Sequence, residues 1–144
     1  MIFREEKGDL FELKDTHLLV HCISRDCVLG AGIASRFRVY FPEMPNSLFR
    51  YMQTNENAIN RKCLLYNNSI ANLITKDRYF NKPTYESMRE SIQELREIII
   101  RKQYTKIAMP RIGCGLDKLV WRKVKLIIQE ELGMLDIEVV VRIY

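Results

Sequence analysis

Two short loops carry the same small pattern, Gly30-Ala31-Gly32 and Gly113-Cys114-Gly115, and each precedes a stretch that reads as a helix. The first lies within Ser24-Arg25-Asp26-Cys27-Val28-Leu29-Gly30-Ala31-Gly32-Ile33, the second within Pro110-Arg111-Ile112-Gly113-Cys114-Gly115-Leu116-Asp117. Glycine lets backbone N–H groups approach a ligand closely, and a helix N-terminus adds positive potential, so both loops suit phosphate. Two such loops in one domain can grip one pyrophosphate from both sides. Tight turns also use glycine for geometry alone, so on the pattern itself phosphate binding and plain turn chemistry both stand.

The other reactive side chains have ordinary readings when taken singly. Lys76, after an apolar run and within Lys-Asp-Arg, reads as a solvated loop residue. Asp117 precedes a helical stretch, where an acidic residue caps a helix or favours its dipole. Ser24 can bond the backbone of its own turn. His21 sits in an apolar run and reads as a packed core residue. Cys22, Cys27, Cys63 and Cys114 form no C-x-x-C pair, and no second ligand pair follows at zinc-finger spacing. They read as reduced thiols, with no metal and no cofactor expected. Cys114 reads as a small side chain tolerated between two glycines rather than as a reactive thiol. Lys118, Arg122, Lys123 and Lys125 read as a solvated helix face beside the second loop, placed to steer an anionic polymer.

Alternating elements position these loops. Ile2–Arg4 and Leu18–Ile23 read as strands, and the latter is apolar enough for burial on both faces. Ile33–Phe41 reads as a helix stopped before Pro42, and Pro45–Gln53 as a second with Pro45 in its first turn. Arg61–Tyr66 and Ser69–Thr75 flank Asn67-Asn68 and read as a hairpin, since asparagine tolerates left-handed angles. Thr84–Lys102 places Met88, Ile92, Leu95 and Ile99 on one helical face behind Pro83. Lys106–Met109 reads as a strand, Val120–Leu132 as a helix closed by Gly133, and Ile137–Ile143 as a final strand. Helices spread among strands favour an α/β domain with helices on both faces of a mixed sheet, and ligands then bind beyond the strands' C-terminal ends. Both glycine loops fall there.

Length and composition bound the rest. The 144 residues suit one compact domain, 1–144, and 47% hydrophobic with 28% charged residues argues against disorder. A net charge of +5 permits an anionic ligand or nucleic acid without demanding either. No apolar run approaches the roughly 18 residues of a membrane span, and the first residues lack the apolar core of a signal peptide. The protein reads as intracellular and free of membrane.

Taken together and in order, several short motifs resemble a known family. Gly8-Asp9-Leu10-Phe11, His21-Cys22-Ile23-Ser24, Gly30-Ala31-Gly32-Ile33-Ala34, Leu73-Ile74-Thr75-Lys76, Lys82-Pro83-Thr84-Tyr85-Glu86 and Met109 to Asp117 resemble the macrodomain family, in its branch of terminal ADP-ribose protein glycohydrolases. The resemblance runs from about Ile2 to the C-terminus. It implies a three-layer α/β/α sandwich with a mixed central sheet that binds ADP-ribose. By position Asp9 and Leu10 should meet the adenine. The loop with Ser24, Gly30, Gly32 and Ile33 should line the distal ribose and phosphates, with Thr75 nearby. Pro110, Arg111, Ile112, Gly113, Cys114, Gly115 and Leu116 should wrap the pyrophosphate, and Tyr144 should close over the adenosine end. Lys76 would be the nucleophile and Asp117 its acid/base partner. Arg78 and Lys82 would supply a field that helps Lys76 lose its proton. Asp77 departs from the family, which leads one to expect a basic residue after the lysine.

The implied activity is removal of ADP-ribose from glutamate or aspartate side chains of modified proteins, with O-acyl-ADP-ribose as a related ester. The competing readings are a hydrolase acting on ADP-ribosylated nucleic acid, a non-catalytic ADP-ribose reader, and an α/β domain for another phosphate ligand.

Overall fold

The computed structural model describes all 144 residues. Its elements follow in the order β1 (Ile2–Lys7), β2 (Leu18–Ser24), α1 (Gly32–Tyr40), α2 (Met44–Thr54), β3 (Cys63–Tyr66), β4 (Ile70–Lys76), α3 (Tyr85–Lys102), β5 (Lys106–Met109), α4 (Trp121–Leu132) and β6 (Glu138–Ile143). Boundaries differ from the sequence expectation by a residue or two, with two exceptions. A 3-10 turn at Leu10–Leu13 was not foreseen, and β1 extends to Lys7. The run Arg4-Glu5-Glu6-Lys7 hides that strand from any apolar pattern, because β1 lies at the sheet edge and is held by its parallel ladder to β6.

The six strands lie in the order β1-β6-β5-β2-β4-β3. All neighbours are parallel except β3 and β4, which form the expected hairpin with Asn67 and Asn68 both at positive φ. The sheet is therefore mixed, and β2, β4, β5 and β6 all end at the same edge.

The alternation of side chains splits the core in two. Leu18, Val20, Ala71, Leu73, Val139 and Val141 face one way, against Met88, Ile92 and Leu95 of α3 and Val124 and Ile128 of α4. Leu19, Ile23, Ile70 and Ile74 face the other, against Phe37 of α1, Met44 and Leu48 of α2, and Leu10 and Phe11. These two apolar layers make the α/β/α sandwich. α3 starts at a capping box in which Thr84 and Ser87 exchange side-chain and backbone hydrogen bonds, so the segment between β4 and α3 ends at a fixed point.

His21 belongs to the second layer. It is fully buried, stacked on Phe37 at 3.7 Å between centroids, and its Nε2 lies 2.5 Å from Asn72 Oδ1. Asn72 Nδ2 donates to Leu64 O at 3.2 Å, so Oδ1 must accept and His21 Nε2 carries the proton. Burial pushes the His21 imidazole down to about 4, and it stays neutral.

Candidate active site

The C-terminal ends of β6, β5, β2 and β4 open into one cleft of about 910 Å3. That volume lies within the usual range for small-molecule sites. Both glycine loops line it. The loop from Ser24 leads from β2 to α1, and the loop from Pro110 leads from β5 to α4. Gly32 and Leu116 are near neighbours across the opening, since a Cβ on Gly32 would stand 3.6 Å from Leu116 Cδ1.

The two glycines of each pair do different work. Gly32 and Gly113 hold φ of +60° and +75°, which L side chains rarely adopt. Gly30 has only Val28 Cγ1 at 3.8 Å beside an added Cβ, and Gly115 has nothing within 4 Å. Turn geometry explains the first two, while the other two leave open space in which the backbone can be approached closely. The backbone supports this. The N–H groups of Leu29, Gly30 and Ala31, and of Gly113, Gly115, Leu116 and Asp117, donate to no protein acceptor. α1 begins at Ala31 with no side-chain cap, so its first-turn N–H groups are open as well. Oriented, unpaired N–H groups from two sides make an anion cradle.

Lys76 and Asp117 meet at the β4 end of the cleft. Lys76 Nζ donates to Asp117 Oδ1 at 2.7 Å, with side chains 14% and 17% exposed. The pairing of β2 with β4 shifts by one residue here, from Ile23 opposite Ile74 to Ser24 opposite Lys76, which leaves Thr75 as a bulge. Bulges beside sites re-aim the following side chain. Asp77 points outward and pairs with Arg25 at 3.4 Å, away from Lys76.

Ser24, Gly30, Gly32, Ile33, Lys76, Tyr144 and every residue from Pro110 to Asp117 line the cleft. Three expected residues do not. Leu10 is fully buried in the second core layer, backbone included, and offers no surface to the cleft. Thr75 is 3% exposed. Asp9 stands at the far rim, where its carboxylate accepts from Phe11 N–H at 3.0 Å, Arg36 at 3.2 Å and Tyr144 Oη at 2.7 Å. The Phe11 N–H bond, with Arg36 beside it, holds the Asp9 carboxyl below its ordinary range. Of the two cations named for Lys76, Lys82 lines the cleft and Arg78 does not.

No family model matches the chain. The macrodomain of Thermus aquaticus DarG superposes with a TM-score of 0.86 over 99% of both chains at 26% identity. The ADP-ribose glycohydrolase OARD1 of Bos taurus is 42% identical over 135 residues, which cover 94% of this chain and 87% of that protein. The chain belongs to the macrodomain family. The Homo sapiens ADP-ribose glycohydrolase OARD1 is 40% identical over the same share of both chains.

In this macrodomain several residues that order or line the cleft carry no pattern in the sequence. Asp26 accepts from Ser24 Oγ, from Val28 N–H at 3.2 Å and from Tyr79 N–H at 2.9 Å. Burial raises its carboxyl, but those three donors more than offset that and hold it below its ordinary range. Glu5 accepts from Lys125 and from the Trp121 indole N–H, which fixes the start of α4 beside the second loop. The Lys125 contact leads in holding the Glu5 carboxyl low. Arg142 lines the cleft and donates to Asp9 O at 3.1 Å. Only Ser-Arg-Asp following a strand hinted at Asp26, as a turn former. The macrodomain's Cys114 thiol is pushed up to about 11 by burial, so it is protonated at neutral pH. No three His, Cys, Asp or Glu side chains converge to hold a metal ion. No helix is long and apolar enough to cross a membrane.

Proposed function

We propose that this macrodomain is a hydrolase that releases terminal ADP-ribose from glutamate and aspartate side chains of modified proteins. The observation that carries the reading is the Lys76–Asp117 contact at one end of a two-loop anion cradle. The name shared by the bovine and human relatives supports the reaction class. The open N–H groups of the two loops receive the pyrophosphate. Asp9 accepts from the exocyclic amine of adenine, and Tyr144 covers the adenosine end. Ser24 and Ile33 border the distal ribose.

The reaction proceeds in two balanced steps. A Lys76 proton passes to Asp117, 2.7 Å away, and the freed amine attacks the anomeric carbon of the distal ribose. A C–N bond forms as the C–O bond breaks, and the electron pair leaves with the acceptor carboxylate. Asp117 gives the proton it took from Lys76 to the departed carboxylate. Again a carboxylate, it takes a proton from water as the water oxygen adds to the same carbon. The C–N pair returns to Lys76, and Asp117 passes its proton back to the amine. The net change is ester plus water to ADP-ribose plus carboxylic acid. The loops hold the sugar in line, which removes much of the entropic barrier. An O-acyl-ADP-ribose presents a related ester and is a second substrate. We place the protein inside the cell, in cytoplasm or nucleus, with ADP-ribosylated proteins as partners.

The test is ADP-ribose release from a protein mono-ADP-ribosylated on glutamate, by wild type and Lys76→Ala in parallel. Release by the first and not the second is expected. No release by folded wild type, with tight ADP-ribose binding, turns the reading to a non-catalytic reader.

One observation favours a second acceptor class. The DNA ADP-ribosyl glycohydrolase of Thermus aquaticus is 30% identical over 94% of this chain, though that match spans only 39% of the relative. With a net charge of +5, ADP-ribosylated nucleic acid is the alternative substrate, and salt-sensitive cleavage of it tests that reading.

A further inference from the structure

The cleft has two ends, and the sheet sets the distance between them. β6 leads to Tyr144 and β4 leads to Lys76, three strand spacings apart, or about 14 Å. On the hydrolase reading above, the bond that breaks lies at the β4 end. The acceptor must therefore leave past the segment that continues from Lys76 toward α3.

That segment carries two aromatic residues that the proposed ADP-ribose contacts leave unused. Tyr79 lines the cleft and is 59% exposed, and Phe80 is 67% exposed. Their rings meet edge to face at 5.4 Å, and neither belongs to either core layer. The segment that carries them is tied at two points. Tyr79 N–H donates to Asp26 Oδ2, while Asp26 Oδ1 accepts from Ser24 Oγ and Val28 N–H. One carboxylate thereby joins the first glycine loop to the segment after Lys76. Three residues on, Lys82 Nζ donates at 3.0 Å to Leu116 O, the carbonyl directly before Asp117. An exposed aromatic pair on a tethered segment, beside the reacting end of a cleft, is a built surface.

Charge selects its occupant. Arg78 and Lys82 bracket the pair in sequence. Against them stand Asp77, paired with Arg25, and Asp26, which three neutral donors hold as a carboxylate, so Arg25, Arg78 and Lys82 outnumber the two acids. A peptide bearing a carboxyl side chain, which leaves as an anion, fits that balance.

We propose that Tyr79 is a specificity-determining residue, whose ring seats the peptide around the modified glutamate or aspartate with Lys82 toward the departing carboxylate, and that Asp26 is the positioning residue that sets the ring.

Free ADP-ribose carries no acceptor, and this makes the test discriminating. Tyr79→Ala, Tyr79→Phe and Asp26→Asn are compared with wild type for ADP-ribose affinity and for cleavage of an ADP-ribosyl-glutamyl peptide and an ADP-ribosylated DNA oligonucleotide. Tyr79→Ala is expected to raise KM for the peptide about tenfold, with kcat changed less than threefold and ADP-ribose Kd unmoved. Tyr79→Phe, which keeps the ring, recovers most of that loss, and Asp26→Asn shifts KM in the same direction by less. An unchanged peptide KM overturns the proposal. So does an equal loss of ADP-ribose affinity, which marks a structural role. An effect confined to the DNA substrate overturns it in favour of a nucleobase platform. If wild type cleaves neither substrate, the hydrolase reading fails on its own. The proposal is then judged by binding, through whether the peptide conjugate binds more tightly than ADP-ribose and loses that margin in Tyr79→Ala.

Discussion

Lys76 and Asp117 are 41 residues apart in the chain, and their strands are not neighbours in the sheet. β2 stands between β4, which ends at Lys76, and β5, which leads into the loop ending at Asp117. The two side chains meet across it at 2.7 Å, mostly shielded from water. On the proposed mechanism this contact brings the nucleophile and its proton carrier to one point over the cleft that the two glycine loops line. If Asp117 carries protons, Asp117→Asn keeps the size and a hydrogen-bond partner for Lys76 but cannot accept the amine's proton. We expect turnover to fall roughly 10²- to 10⁴-fold, with ADP-ribose affinity changed only a few-fold. Single-turnover release and calorimetric binding on one preparation check this. A variant that keeps wild-type turnover removes Asp117 from the mechanism.

The acid side of the stability profile should carry the signature of His21. Its folded value of about 4 lies below the ordinary imidazole value, so between those two values the unfolded chain binds a proton that the folded protein excludes. Stability from this source is complete above pH 6.5 and is lost as pH falls toward 4. At pH 5 the loss is about 2 kcal/mol relative to pH 7. His21→Gln lowers stability everywhere but flattens this slope. Urea unfolding at pH 7, 6 and 5 for both proteins tests it, and parallel profiles would exclude His21 as the source.

The four thiols should resist alkylation in the folded state. Burial raises all of them, Cys27 and Cys114 to about 11, Cys63 to about 12 and Cys22 beyond that. At pH 7.5 a thiol near 11 is thiolate in less than about one molecule in a thousand, against roughly a tenth for a free cysteine. Intact-mass analysis with iodoacetamide should show little modification until urea unfolds the chain, then four adducts. Rapid labelling of Cys114 in the native protein would show that the loop thiol is activated after all.

What the sequence disclosed follows from the range of the forces involved. Helix faces such as Met88, Ile92, Leu95 and Ile99 were legible because burial imposes a local period, and the Asn67-Asn68 turn because two residues set its backbone. β1 was half hidden because an edge strand needs little apolar surface. The meeting of Lys76 with Asp117 came from family resemblance and not from pattern, since a bulge at Thr75 breaks the alternation that would orient Lys76. Asp26 was legible at most as a turn former, for a similar reason. One of its three donors, Tyr79 N–H, lies 53 residues away and arrives only through tertiary folding.

The last prediction separates the two meanings of glycine in this cleft. At Gly113 the backbone sits at φ +75°, and an added Cβ would meet Met88 Cε at 2.7 Å and Leu119 Cδ1 at 3.0 Å. Gly113→Ala should therefore cost about 1–3 kcal/mol of stability, seen as a lower Tm. At Gly115 the backbone is ordinary and an added Cβ meets nothing within 4 Å. Gly115→Ala should leave Tm nearly unmoved. If the open N–H groups around Gly115 cradle a pyrophosphate, the new methyl stands where the phosphate oxygens approach, and ADP-ribose affinity should fall about tenfold or more. Thermal unfolding and ADP-ribose titration of the two variants decide the matter. Should Gly115→Ala bind ADP-ribose as wild type does, the second loop does not approach the pyrophosphate closely, and the cradle reduces to the first loop and the uncapped start of α1.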